Sequence, residues 1–147
     1  MTTDDSERRQ QATINELLDI RTYLDHIHQH PELMIAQHEH TRNRVRFGHP
    51  APANLDLINL TDNRVGVPAT LREWATIVRD ARGLATGVTH YRHTTHMLAW
   101  HTPWLYANHP DVDHYEHDIQ HAHRQLRRHI IGDVQSEKSG TAVGGNR

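Results

Sequence analysis

The 147-residue sequence contains no cysteine and a single lysine. The absence of cysteine excludes disulfides, zinc ribbons, cysteine-ligated iron–sulfur clusters and thiol nucleophiles. The one lysine, Lys138, is not part of a Gly-Lys-Ser/Thr motif, so the sequence has no P-loop. Its place in a polar C-terminal segment also argues against a Schiff-base lysine. Several common routes to phosphate binding and covalent catalysis are thereby excluded.

Serine, glycine-rich motifs and long apolar runs are also scarce. The serines Ser6, Ser136 and Ser139 lie in polar terminal segments, so a buried serine triad has no nucleophile. The sequence contains no Gly-x-Gly-x-x-Gly motif, so nothing in it indicates a dinucleotide-binding site. No apolar run approaches a membrane span, and the N-terminus is acidic rather than signal-like. We therefore predict a non-enzymatic, cytoplasmic protein with no cofactor and no membrane contact.

Histidine and arginine are the abundant polar residues. The sequence has 16 histidines, and arginine supplies 15 of its 16 strongly basic residues. With neutral histidines the formal net charge at pH 7 is -2, and protonation of every histidine would make it +14. The chain is therefore near neutral in the cytosol and strongly cationic in acid.

Apolar residues recur at steps of three and four, which predicts an all-α fold of four to five helices. The predicted helices cover about residues 6–30, 32–41, 68–83, 89–100 and 111–132. A connecting region is expected over about residues 43–67. We expect it to be a loop that packs onto the core through Leu55, Leu57 and Leu60; their alternation would also fit a short strand. A short turn is expected over 102–107, with Pro103 at its first position. The resulting domain organisation is one helical domain, residues 1–132, and a flexible tail, residues 133–147, because Gly132 stops the last helix.

The predicted core consists of the apolar stripes of three helices. Their members are Ile14, Leu17, Leu18, Ile20, Leu24 and Ile27; Leu71, Trp74, Ala75, Val78 and Ala81; and Val112, Tyr115, Ile119, Ala122, Leu126 and Ile130. Trp100 and Trp104 flank the expected proline break and are assigned to the core as well. An exposed tryptophan pair would instead mark a binding surface.

Three histidines of the last helix form a candidate metal site. His117 and His121 are one turn apart, and His114 lies three residues before His117, so a two-point clamp with a third ligand is conceivable. None has the neighbouring glutamate of a His-Glu-x-x-His site. The alternative, which we favour, is a solvated surface on which histidine replaces lysine and glutamine.

Two arginine clusters are candidates for nucleic-acid contact. Arg124, Arg127 and Arg128 lie in a stretch without acidic residues, and so do Arg42, Arg44 and Arg46. Clustered arginine can neutralise phosphates. The alternative is a solvated helix face, which the near-neutral charge of the whole chain favours.

One pattern resembles a known group of proteins. Its residues are Trp104-Leu105-Tyr106-Ala107-Asn108-His109-Pro110, Asp113, Tyr115, Asp118, Gln125-Leu126-Arg127-Arg128 and the earlier Leu71-Arg72-Glu73-Trp74. Over about residues 14–131 the chain is similar to a helical domain of uncharacterised actinobacterial and actinophage proteins. In those proteins the domain is often followed by a zinc ribbon and a helix-turn-helix segment, and they are usually described as DNA-binding. Here only 16 residues without cysteine follow Ile131, so we expect neither of those parts.

These observations predict a non-enzymatic, phage-type accessory protein that acts by binding. The expected partner is another protein or a second copy of the chain, with auxiliary nucleic-acid contact through the arginines of the last helix. A structural subunit of a virion, such as a connector, is one alternative. A histidine-based metal protein is another.

Overall fold

The computed structural model describes residues 3–35, 55–84 and 90–145, with side chains described in the same ranges from residue 4 to residue 130. Within these ranges all regular elements are helical, so the all-α prediction is confirmed. The elements are α1 (Thr3–Gln29), a 3-10 turn (Pro31–Met34), α2 (Leu55–Thr61), α3 (Val67–Arg82), α4 (Tyr91–Asn108) and α5 (Val112–Gly145). Helix α1 packs against both α4 and α5, and α3 packs against α4.

Helix α1 is amphipathic, as predicted, and ends just before Pro31. Four of its six predicted core residues are fully buried: Leu17, Ile20, Leu24 and Ile27. The assignment of Leu18 to the core is wrong, because that side chain is 43% exposed. Position 18 is next to Leu17 and therefore about 100° away around the helix.

Helix α2 corrects the interpretation of the connecting region. The segment Leu55–Thr61 is neither a loop nor a strand but a short helix, in which Leu57 is buried and Leu55 is 66% exposed. The hydroxyl of Thr61 donates to the carbonyl of Leu57 at 2.9 Å. Leu55, Leu57 and Leu60 recur at steps of two and three. This spacing fits a strand as well as a short helix, so periodicity alone could not identify the element.

Helix α3 has the predicted bounds, and two glycines set them. Gly66 precedes the helix, and a Cβ atom there would lie 2.2 Å from the carbonyl oxygen of Leu60, so no other residue fits without backbone movement. Gly83 ends the helix in the left-handed region, at φ 65°, where glycine carries no steric penalty. The Leu84 amide then donates to the Arg79 carbonyl at 2.9 Å.

Helix α4 is continuous through Pro103, so the predicted break at residues 100–102 is wrong. Proline removes one helical hydrogen bond and costs about 3 kcal/mol in a helix interior. The continuous helix keeps Leu98 and Leu105 on one face, both fully buried. Each buried leucine contributes about 1.5–3 kcal/mol, so burial offsets the proline. Thr102 adds a hydrogen bond from its hydroxyl to the carbonyl of Leu98, at 2.6 Å.

Helix α5 begins directly after Asp111, as predicted, and its predicted stripe is buried at five of six positions. The buried residues are Tyr115, Ile119, Ala122, Leu126 and Ile130. The predicted stop at Gly132 is wrong, because the backbone stays helical to Gly145. A lone glycine costs only about 1 kcal/mol in a helix, and no proline follows it. Side chains from residue 131 onward lie outside the described ones, so the flexibility of residues 133–147 stays a prediction.

None of the helices over the described ranges is long and apolar enough to cross a membrane. Polar contacts instead join the helices at several points. Trp74 of α3 donates its indole N–H to Asp118 of α5 at 2.8 Å, and Tyr115 of α5 meets Thr102 of α4 at 3.0 Å between hydroxyl oxygens. These bonds fix the positions of α3 and α4 against α5.

Replacing Thr102 by valine should destabilise the protein by about 1–3 kcal/mol, because the buried Tyr115 hydroxyl loses a partner. Urea unfolding measured by circular dichroism gives this free energy of unfolding. Thr22 is the matched control: it is exposed and makes the same bond, to the carbonyl of Leu18 at 3.0 Å. Thr22→Val should change the stability by less than about 0.5 kcal/mol. Equal effects of the two substitutions would show that the Thr102–Tyr115 contact adds nothing.

Candidate binding surfaces

Three arginines of α5 form the first candidate surface, which we call the arginine face: Arg124, Arg127 and Arg128. All three are exposed, and none forms an ion pair with a described residue. Arg124 and Arg128 are one turn apart, so their side chains leave the helix on the same side. The other predicted cluster, at Arg42, Arg44 and Arg46, lies outside the described residues.

Acidic residues at the N-terminal end of α5 are already paired with α1. Arg9 donates to Glu116 and to Asp113, each at 2.8 Å. The phenol of Tyr106 also donates to Glu116, and its pKa is raised by burial and by that hydrogen bond. Because these carboxylates pair with Arg9, they do not neutralise the charge of the arginine face.

The predicted histidine site is not assembled as a three-ligand site. His114 lies 3.2 Å from a carboxylate oxygen of Asp118, the same oxygen that accepts from Trp74. The rings of His117 and His121 stack with their centroids 6.2 Å apart. Across the part of the chain with described side chains, no three histidine or carboxylate residues are grouped so that they could hold a metal ion.

The three tryptophans have different environments. Trp74 is in the core, as predicted, and is only 5% exposed. Trp104 is half-buried, with the guanidinium carbon of Arg82 5.1 Å from its ring centroid. The core assignment of Trp100 is wrong, because it is 76% exposed. Trp100 comes two residues after Leu98 in the same helix, so it lies about 200° around the helix from that buried side chain.

Trp100 is the centre of the second candidate surface, the outer face of α4. It consists of five exposed residues at helical spacing: His93, His96, Trp100, Pro103 and Ala107. None of the five carries a full charge when the histidines are neutral. Large aromatic side chains without charged neighbours are typical of the centre of a protein interface.

Two arginines lie beside this face, and only one of them is paired with a described acidic residue. Arg92 donates to Asp25 of α1 at 2.9 Å, and the phenol of Tyr91 donates to the same oxygen. Burial and this hydrogen bond raise the pKa of Tyr91 to about 12. Burial alone would raise the pKa of Asp25, but the hydrogen bonds from Tyr91 and Arg92 hold it below its usual range. Arg82 lies 2.9 Å from a ring nitrogen of His101.

An open cleft of about 580 Å³ lies between α2, the start of α3 and α5. Its lining combines Asp56 and Asp118 with Arg128, and the floor includes Leu60 and Val67. The carboxylate of Asp118 is occupied by Trp74. Because its lining carries both negative and positive side chains, the cleft favours neither an anionic nor a cationic ligand. It is therefore a weaker candidate for a binding site than either helix face.

The chain matches no known protein family, no curated protein and no solved structure. The two helix faces are therefore interpreted from their own residues. Sequence reasoning identified the arginine face but missed the outer face of α4. The signal for it was the three- and four-residue spacing from His93 through Trp100 to Ala107, hidden by reading Pro103 as a break.

Acrylamide should quench Trp100 far more than the other tryptophans, because it alone of the three is mostly in water. Trp100→Phe should remove most of the readily quenched fluorescence. The control is Trp74→Phe, which should leave that component in place. If the Trp100→Phe protein keeps the full accessible component, the position of Trp100 on the outer face of α4 is wrong.

Proposed function

We propose that this chain is a non-enzymatic, phage-type accessory protein that works by binding another protein, or a second copy of itself, through the outer face of α4. The observation that carries the proposal is the 76% exposure of Trp100 in the middle of an uncharged helix face. The face stands on α4, which Leu98 and Leu105 anchor in the core. A rigid helix with a central aromatic residue matches the usual organisation of an interface hot spot.

Burial of this indole is a substantial driving force. A tryptophan side chain buries about 150–250 Å², so covering the exposed part of Trp100 contributes on the order of 3–5 kcal/mol before the costs of association. Pro103 and Ala107 lose little side-chain entropy when they are covered. The face therefore combines a strong anchor with neighbours that are inexpensive to immobilise.

The shape of the surface favours a protein partner over a small molecule. Small-molecule sites are concave and enclose most of their ligand. The outer face of α4 is the convex side of a helix, and it can be covered only by another extended surface. A helix or a helix pair of a second chain has suitable dimensions.

A photoreactive amino acid at position 96, one turn before Trp100, tests this proposal in the cells that make the protein. Irradiation should yield a covalent adduct with a protein, which Trp100→Ala should abolish. Leu55→Ala is the control, since Leu55 is also an exposed apolar residue but lies on α2. The proposal fails if no protein adduct forms, or if the same adduct forms with alanine at position 100.

The arginine face supports a second function, auxiliary contact with nucleic-acid phosphates. Its three side chains are exposed and form no ion pair within the described ranges. They would neutralise phosphates without breaking an ion pair to any residue that the structure describes. Such contacts position a nucleic acid without reading its sequence.

Binding of a labelled random DNA duplex should fall steeply with salt. Three phosphate contacts predict about 40-fold weaker binding at about 200 mM than at about 50 mM salt. Arg127→Ala should reduce the slope of log K against log salt by about 0.9. Arg64→Ala is the matched control, because Arg64 is exposed but paired with Asp62. Fluorescence anisotropy measures both, and absence of binding at the lower salt would exclude the nucleic-acid contact.

A further inference from the structure

We infer that Arg82 is the ion-pair anchor at the edge of the outer face of α4, and that the partner covering this face is an acidic, amphipathic helix of a partner protein. This inference rests on the proposed function and specifies the chemistry of the partner. It draws on the position of Arg82 beside the face, on its unbalanced charge and on the lack of acidic residues in the sequence around it.

Arg82 is the last residue of α3, and its side chain reaches the edge of α4. Its guanidinium carbon lies 5.1 Å from the ring centroid of Trp104, and one of its N–H groups donates to Nδ1 of His101 at 2.9 Å. Trp104 follows Trp100 by one turn, so the two side chains are neighbours on the helix surface. The cation therefore lies at the border of the outer face and not on a separate part of the molecule.

The contacts of Arg82 orient its guanidinium without neutralising it. A guanidinium can only donate, so Nδ1 of His101 is the acceptor and carries no proton. Burial and the nearby charge of Arg82 hold the pKa of His101 below its usual range. A neutral imidazole and an indole ring cancel no charge. The remaining N–H groups of this oriented guanidinium can bind an acceptor on a partner.

Acidic residues are missing from the sequence around Arg82. Residues 81–110 contain no aspartate or glutamate. The preceding acid, Asp80, lies 3.9 Å from Arg79. Arg82 itself forms no ion pair with a residue that the structure describes. Covering this charge without a counter-ion would cost the complex much of its stability, so a partner that reaches Arg82 has to bring its own acceptor.

A protein carboxylate fits this edge better than a nucleic acid does. A carboxylate matches the planar guanidinium through two parallel hydrogen bonds. A polyanion instead needs several cations in a row, and the other arginine beside the face, Arg92, is already bound to Asp25 at 2.9 Å. The arginine face of α5 offers such a row, whereas Arg82 adjoins large aromatic side chains that suit a protein surface.

These features define the pattern expected in the partner. An apolar side chain covers Trp100, which is 76% exposed, and an acid contacts Arg82. Since Trp100 and Trp104 are one turn apart, a helix can present both groups as an apolar residue and an acid about three or four positions apart. Such a helix has an apolar stripe edged with negative charge.

Cross-linking from position 96 in cells tests the role of Arg82. Arg82→Gln should reduce the protein adduct by about threefold or more, because the carboxylate loses its partner. Arg82→Glu should reduce it by about tenfold or more, because it brings like charges together. Arg8→Glu is the matched control and should leave the adduct unchanged, since Arg8 is also exposed but lies on α1. Circular dichroism of the purified variants should stay unchanged, because Arg82 is exposed at the end of its helix.

Reversal of both charges separates a direct ion pair from an indirect effect. Mass spectrometry of the adduct identifies the partner segment, which should contain an aspartate or glutamate within about one turn of the cross-linked residue. Exchanging that acid for arginine in the partner should weaken the adduct with the natural Arg82 and restore it with Arg82→Glu. A cross-linked segment without an acid, or an exchange that restores nothing, would overturn the inference.

Failure of this inference and failure of the proposed function give different results. A protein adduct that Arg82→Glu leaves unchanged removes Arg82 from the interface but still supports binding through the outer face of α4. The absence of any protein adduct when Arg82 is intact contradicts the proposed function itself.

Discussion

The hydroxyl groups of Thr102 and Tyr115, 3.0 Å apart in the core, join α4 to α5 beside Pro103. Thr102 also donates to the carbonyl of Leu98, next to the Ala99 carbonyl that lacks its helical partner because residue 103 is proline. With this region intact, α4 remains one helix and Leu98 and Leu105 share its buried face. The outward position of Trp100 follows from the same geometry, because a side chain two residues after Leu98 must leave the helix on the far side.

Several ion pairs at the surface join one helix to another. Arg9 binds Glu116 across α1 and α5, and Arg92 binds Asp25 across α1 and α4. Two surfaces remain outside this pairing. The arginine face keeps positive charge without a described ion-pair partner, whereas the outer face of α4 has no charge to pair. Their different chemistry suits different partners, phosphates for the first and an apolar protein surface for the second.

Much of the fold could be predicted from the sequence because the signals were strong and local. The stripes of α1 and α5, the glycine at the end of α3 and the buried Trp74 all follow from helical spacing and backbone stereochemistry. The errors arose where tertiary contacts outweigh local preference. Pro103 does not end its helix, since burial on both sides of it offsets the lost bond, and Gly132 alone is too weak a stop. The core assignment of Trp100 was wrong because position 100 lies about 200° around α4 from buried Leu98.

The two candidate surfaces would act together if the outer face of α4 joined two copies of the chain. A dimer held through Trp100 would carry two arginine faces, one on each α5. A nucleic acid long enough to reach both faces would meet the second at a high effective concentration, so affinity would rise without any new type of contact. A single face with three arginines binds phosphates weakly and loses affinity quickly with salt. Self-association through an uncharged face is therefore a direct physical way for a chain of net charge -2 to assemble enough local positive charge to hold a polyanion.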